Sequence, residues 1–427
     1  MHIIIDIIGV KMEKNLKNKK YHNFLIFACF FIWVMMLGSK NVYTAEIVEL
    51  QKIFGVGKAQ VAMAMTYYFI TYSITQIVLF FFMEKISIKW FLGLCIFLSG
   101  IVTVFVALVT GMWQMWWLLS LNGILQAGVW GMCIAVLKRY LPEEKLAFAN
   151  TVMNVGMAVA GVISYSFGAI FVGIGVWNAP FVILGIVLSL SAIIFFYAVW
   201  LCEKNLDVTS TIDNFDNTIN DLHKPIINLK SNVAKVLFLV IAFALSFFMH
   251  SVFYGTMNWL PDLMTEVHGL KSHLGILLSV LAPIATIIGA IVSIYHCEKY
   301  GNFIKVAFVY LGIGSVLSFA MIFIFNFNLI LALIVLITYL VLFQGIISIV
   351  FAVLPLKIGN GISVGGLGCL MNAAGGFAAG FAPMIVGSII ETSGWKISYV
   401  VIFAITIALF VAVLFSMCLI KKQNKKA

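Results

Sequence analysis

Charge is what this chain has least of. Only 10% of its 427 residues are charged and 63% are hydrophobic, whereas soluble domains carry about a quarter charged residues. A water-soluble globular fold is therefore excluded. Arginine is nearly missing, since Arg139 is the only one among 26 basic residues. The formal charge of +10 does not imply nucleic acid, because the lysines sit between apolar runs and form no patch that could track a phosphate backbone. The seven cysteines (Cys29, Cys95, Cys133, Cys202, Cys297, Cys369, Cys418) show neither CxxC nor zinc spacing. They are read as free thiols filling helix packing. No GxGxxG, P-loop, HExxH or nucleophile elbow stands in a suitable context, so neither an enzyme nor a bound metal or cofactor is expected.

Long apolar runs are what is there. A span needs about 20 apolar residues, and runs bounded by Lys, Glu, Gly or Pro predict twelve transmembrane helices. These fall at 23–49, 58–83, 88–110, 113–139, 146–172 and 177–202, then at 233–262, 271–296, 303–325, 328–356, 360–390 and 395–420. The fold class is all-α integral membrane, with two six-helix bundles at 23–202 and 233–420. Residues 1–22 and 421–427 are tails. Residues 203–232, polar and carrying five carboxylates, form a linker without the apolar content for a core. The order of charge and apolar residues at the start does not fit a cleavable signal, and Met12 is an alternative start to Met1.

Lysine and arginine are retained on the cytoplasmic side. With both termini and the linker on one side, 21 basic residues lie there and five on the other: Lys40, Lys52, Lys58, Lys271 and Lys396. A cell-membrane protein with both termini cytoplasmic is expected. Glu46 and Glu49, at the end of the first span, are expected to reach outer water.

The two halves echo one another. Gly55 and Gly269, Glu84 and Glu298, and Lys85 and Lys299 are each 214 residues apart. Gln126 and Gln344, Met153-Asn154 and Met371-Asn372, and Trp177 and Trp395 are each 218 apart. Such an ordered set points to internal duplication. Two parallel six-helix repeats joined by a cytoplasmic linker resemble the architecture of the major facilitator superfamily. The loops carrying Glu84-Lys85 and Glu298-Lys299 resemble that superfamily's Gly-x-x-x-Asp-Arg-x-Gly motif, with Phe80 and Ile294 at the leading glycine and the closing glycine kept only as Gly301. The resemblance implies that these four charged residues act in gating; a solvated turn is the competing reading.

Within the bundle, Lys40-Asn41, Gly123 to Trp130 (GILQAGVW), Met153 to Gly156 (MNVG) and Tyr254 to Pro261 (YGTMNWLP) are similar to the organophosphate:phosphate antiporter branch. Gly387 to Trp395 is a looser match. That branch grips phosphate with two arginines and uses a histidine, and the matching positions here hold Ser39, Phe253 and Met153. Phosphate recognition draws on arginine's planar fork of donors. A substrate other than a sugar phosphate is expected.

Ionisable groups inside spans are costly and point to function. Lys40, in the outer half of the first span, could attract an anion or snorkel to the surface. His250 could exchange a proton near neutral pH, or serve as an interhelical hydrogen-bond partner. His250, Tyr254 and Asn258 follow at i, i+4 and i+8 on one face. With Asn41, Tyr72, Gln126, Asn154, Gln344 and Asn372 they complete the candidate substrate-binding set; interhelical hydrogen bonding is the competing reading of the amides. The resemblance implies a secondary transporter working by alternating access on a small polar or anionic organic solute, coupled to protons or to a counter-anion. A monomer is expected, with solute, coupling ion and lipid bilayer as its partners and no nucleic acid. A transporter-like membrane sensor and a multidrug efflux pump are the alternatives.

Overall fold

The computed structural model describes residues 2–82, 87–205, 227–228, 232–353, 358–359 and 364–424. The first half comprises α1 (His2–Ala45), α2 (Ile47–Phe54), α3 (Lys58–Phe82), α4 (Ile88–Val106), α5 (Met112–Gln126), α6 (Val129–Tyr140), α7 (Glu143–Gly173) and α8 (Ala179–Asn205). The second comprises α9 (Asn232–Met257), α10 (Leu260–Glu266), α11 (Ser272–Leu278), α12 (Leu281–Tyr300), α13 (Phe303–Ile324), α14 (Leu329–Val353) and α15 (Val364–Asn424). A parallel pairing of two residues each joins β1 (Ile227–Asn228) to β2 (Ile358–Gly359). Between Asn205 and β1, the expected linker lies outside the described residues. The helix of the first span starts at His2, so the stretch expected as a tail is helical in backbone.

Among the described residues eleven helices are long and apolar enough to cross a membrane, and the last of them, α15, holds two spans. Its 61 residues would extend about 90 Å as one straight helix, some three hydrocarbon thicknesses. Gly394 breaks it with φ 80° and ψ 169°, a conformation open to glycine and costly for other residues. Past the break the chain reverses. Residues 375, 382 and 387 climb beside His250, Gly255 and Trp259, whereas Tyr399, Phe403 and Phe410 descend against Phe325, Phe319 and Phe308. The spans predicted at 360–390 and 395–420 are these two legs.

Prolines cut two other spans. Pro261 cannot donate to residue 257, and its ring crowds that carbonyl; α9 accordingly ends at Met257 and α10 restarts at Leu260. Pro283 has the same relation to Ser279, where α11 gives way to α12. Asn258, expected on the stripe of His250 and Tyr254, therefore sits in the break and is buried.

The duplication is visible in the backbone. Gly55 and Gly269 have φ of 61° and 67°, and Gly175 and Gly394 both have φ of 80°. All four turns lie on one face, called distal here. Phe54 meets Trp177 ring to ring at 5.9 Å, and Trp395 Nε1 donates to Glu266 Oε2 at 3.0 Å. On the opposite, terminal face Lys89 pairs with Glu203 at 2.6 Å and Lys145 lies 3.3 Å from His22. Large apolar side chains such as Phe105, Trp117, Ile193, Val316 and Ile334 are exposed around the bundles, an outer surface suited to hydrocarbon rather than water. Cys29, Cys95, Cys133, Cys202 and Cys297 are free thiols, three of them buried.

Candidate functional site

Two seams join the halves. In one, α3 packs antiparallel on the first leg of α15, which is allowed by glycine: a Cβ at Gly380 would meet the backbone of Thr66 at 3.3 Å. Thr66 Oγ1 donates to the Gly380 carbonyl at 2.8 Å, and Asn372 Nδ2 donates to Gln76 Oε1 at 3.0 Å. In the other, α7 packs on α11 and α12, with Gly161 against Pro283 and Gly168 against Ile276.

Between these seams lies a cluster of rings with one cation. Lys40 Nζ sits 5.0 Å from the centroid of Phe69 and 5.8 Å from that of Tyr68, within cation–π range. Tyr68 stacks on Tyr72 with centroids at 5.8 Å. Phe69 approaches Tyr254 at 6.4 Å across the halves, and Tyr254 stacks on His250 at 6.0 Å. Phe69 is eleven residues into α3 from Lys58, or about 16 Å, which is the middle of a layer about 30 Å thick. Lys40 is only partly exposed, and its ammonium lies over the rings of α3. Among the described residues no carboxylate pairs with it.

His250 is tied back to its own helix. Its Nδ1 lies 2.8 Å from the Ser246 carbonyl, which can only accept, so Nδ1 carries the hydrogen. Nε2 is directed to α15, where a Cβ at Gly375 would meet it at 3.0 Å. Ser246 Oγ is tied to the Met371 carbonyl at 2.8 Å. The histidine therefore bridges α9 and the first leg of α15.

The other expected residues are distributed differently. Tyr72 accepts from Gln76 Nε2 at 3.1 Å, so Asn372 is linked to the ring cluster through Gln76. Gln126 is buried within the first half: its Oε1 accepts from Tyr68 OH at 2.7 Å and its Nε2 donates to Ser99 Oγ at 2.8 Å. Ser99 in turn donates to Asn122 at 2.9 Å. That amide thus orients Tyr68, with both ends engaged. Gln344 is half-buried, with Ser348 Oγ at 3.5 Å. Asn154 is exposed and donates to the Asn150 carbonyl at 2.9 Å. Asn41 is partly exposed beside Lys40. Glu84 and Lys85 lie outside the described residues. Lys299 rests over Tyr295 and Tyr300 at 5.9 and 5.7 Å, and among the described residues neither it nor Glu298 forms an ion pair.

The three positions matched by resemblance to the phosphate-gripping branch bring no charged side chain. Ser39 is buried and donates to the Met36 carbonyl at 2.8 Å, and Phe253 and Met153 are buried apolar side chains.

The distal closure was not anticipated from sequence. Lys58, at the head of α3, bonds Asp262 of α10 and reaches Glu266 at 2.8 Å. Asp262 also accepts from Gln51 at 3.5 Å, Lys52 Nζ donates to Ser272 Oγ, and Ala59 N lies 3.5 Å from Glu391. The contacts obey the duplication, because Lys52 and Glu266 are 214 residues apart, as are Lys58 and Ser272. The Lys52–Ser272 contact is thus the pseudo-symmetric mate of Lys58–Glu266. That offset was readable, but nothing in the sequence said that these mates face each other. Glu46 departs from expectation: instead of reaching water it has no exposed surface, while Glu49 is partly exposed beside Lys52 at 3.7 Å.

Two pseudo-symmetric helical bundles, closed on one face around a midplane polar cluster, define a membrane transporter. The Major Facilitator Superfamily model matches residues 28–367, and the chain belongs to that family. Among solved structures it is similar to a bacterial homologue of the human lysosomal transporter Spinster in an inward-facing and occupied conformation. That match has a TM-score of 0.73 and 15% identity over 93% of this chain and 97% of the other. It is also similar to the nucleoside transporter NupG, with a TM-score of 0.64 and 13% identity over 93% and 98%. No curated protein gives a significant sequence match.

Proposed function

We propose that this protein moves a small organic anion with an apolar or ring-bearing body across the cell membrane by alternating access. The observation that carries the reading is the Lys40 ammonium, unpaired by any described carboxylate and laid over Phe69 and Tyr68 at mid-depth. The anionic group would pair with Lys40 and the solute body would stack among Tyr72, Tyr254 and His250. Asn41 beside Lys40, and Asn372 through Gln76, would add donors; Asn258, Asn154, Gln126 and Gln344 would shape the surroundings. Because Ser39, Phe253 and Met153 supply no charge, the substrate stands apart from the sugar phosphates of the branch it resembles.

The conformation is read as inward-facing, with the distal face outside and both termini in the cytoplasm. Support comes from the Lys58, Asp262 and Glu266 closure and from the likeness to an inward-facing structure. The halves at 23–202 and 233–420 would rock about the site as a monomer. Glu298 and Lys299, with Glu84 and Lys85, would close the terminal face in the opposite state. Proton symport through His250 is the form of coupling: protonation at Nε2 would place a second positive charge beside the anion.

A thermal-shift screen of purified protein with carboxylates, sugar phosphates, amino acids and inorganic phosphate tests the substrate class, since a ligand of the native state raises apparent stability. A carboxylate is expected to stabilise, and the response to vanish in Lys40→Ala; stabilisation by a sugar phosphate alone refutes the assignment. In proteoliposomes, His250→Asn is expected to equilibrate the solute but no longer to concentrate it when a pH gradient is imposed. An unaltered pH dependence removes His250 from coupling, and binding without uptake would make the protein a sensor.

A further inference from the structure

Glu46 stands where a membrane protein has most reason to avoid a carboxylate. It lies at the bend between α1 and α2, has no exposed surface, and neither carboxyl oxygen has a hydrogen-bond partner. Its stem is pressed onto α7. A Cβ placed at Gly168 would lie 3.4 Å from Glu46 Cγ, 3.4 Å from Ala45 Cβ and 3.5 Å from Ile276 Cγ2. The enclosure therefore uses both halves, with α1 and α7 from the first and α11 from the second. Tyr165, one turn before Gly168 on α7, belongs to the same buried cluster with Ala45 and Ile276. Its hydroxyl is also without a partner.

The other titratable and charged groups here are committed elsewhere. Glu49, on the next turn, is beside Lys52, and Lys52 donates to Ser272 of α11. His273 of α11 lies against Gly173, further along α7. On α10, Asp262 is held by Lys58 and Gln51, while Glu266 is held by Lys58. Among the described residues no cation forms an ion pair with Glu46.

We propose that Glu46 is a proton-binding site whose occupancy permits the distal face to close. An ionised carboxylate with no donor is too poorly solvated in such an enclosure to be held there, whereas the neutral acid is tolerated. Separation of α7 from α11 would let water reach both oxygens and release the proton to the distal side. A ligand that binds one conformation better shifts the population toward it, so lower pH favours the closed face. A metal ion is a poorer occupant, because one carboxyl stands here where hard cations take about six oxygens or more, and among the described residues no cluster of three His, Cys, Asp or Glu is present to hold one. The inference rests on the alternating-access reading but not on the substrate, Lys40 or His250.

The sign of the response identifies the group. Protonating Asp262 or Glu266 would weaken their hold on Lys58 and open the face; protonating Glu46 closes it. Ile53 and Leu274 are exposed on α2 and α11, and nitroxide labels at Ile53→Cys and Leu274→Cys, with the native cysteines replaced, report their separation by pulsed electron resonance in lipid nanodiscs. Between about pH 8 and about pH 5, the ratio of short to long distances in the parent is expected to rise about tenfold or more. Glu46→Gln is expected to hold the short distance throughout, and Glu46→Leu gives the same result if the amide variant does not fold. A parent that opens on acidification, or a Glu46→Gln that titrates like the parent, overturns the proposal. One unchanging distance in the parent overturns the alternating-access reading as well, whereas loss of the response in His250→Asn alone transfers the site to His250.

Discussion

At the offset of 214 residues, Lys40 of the first half is the mate of Tyr254 in the second, and Met36 is the mate of His250. The first half supplies the charge and the second a phenol and an imidazole, yet the turns at Gly55 and Gly269 keep nearly the same φ. The distal contacts behave differently, since Lys52 with Ser272 and Lys58 with Glu266 are mates of each other. A closure only has to bring equivalent edges together, and a two-fold arrangement does this with one design used twice. Around the ring cluster both halves supply rings, Tyr68, Phe69 and Tyr72 from the first and Tyr254 and His250 from the second, whereas the cation comes from the first half alone. The duplication is thus retained in the distal contacts and lost at the ring cluster around Lys40.

The strongest way to break this comparison is at the distal edge. Lys58 and Asp262 have side-chain exposures of 12% and 5%, whereas Lys52 is 58% exposed. Lys58→Ala leaves Asp262 buried without its cation and is expected to destabilise the closed form by about 3 kcal/mol; Lys52→Ala should cost less than about 1 kcal/mol. The distance measurement between α2 and α11 checks both, and equal effects would mean that the two mates share the load. At the site, Lys40→Ala should weaken carboxylate binding by about 2–3 kcal/mol, on the order of a hundredfold. Tyr254→Phe should cost no more than about 1 kcal/mol, both read from ligand titration of thermal stability. A larger loss at Tyr254 would move the anion to the second half. The smallest contrast lies in the repeated amides. Gln126→Ala strands the Tyr68 hydroxyl and the Ser99 chain at about 1–3 kcal/mol of stability, while Gln344→Ala should stay within about 0.5 kcal/mol, as thermal unfolding in detergent would measure.

Much of this was legible in order and spacing. Apolar runs gave the spans, and matched residues at offsets of 214 and 218 marked the repeat. Lys40, Tyr72, His250 and Tyr254 could be named because charges and polar side chains inside spans are rare. What spacing could not convey was which amide faced inward. Gln126 and Gln344 look alike in sequence, but one is saturated by Tyr68 and Ser99 and the other has a single distant partner. Glu46 and Glu49 are three residues apart, yet one is sealed by α7 and α11 and the other stands beside a lysine at the surface.

By itself the sequence determined the membrane class, the twelve spans and the duplicated plan, because hydrophobic length and turn chemistry are local properties written along the chain. Only the tertiary structure decided that Lys40 lies over the rings of α3, that Lys58 crosses to Asp262 and Glu266, and that Glu46 is enclosed. Each of these depends on which helix faces meet across two seams, and that choice is made by packing between residues more than a hundred positions apart.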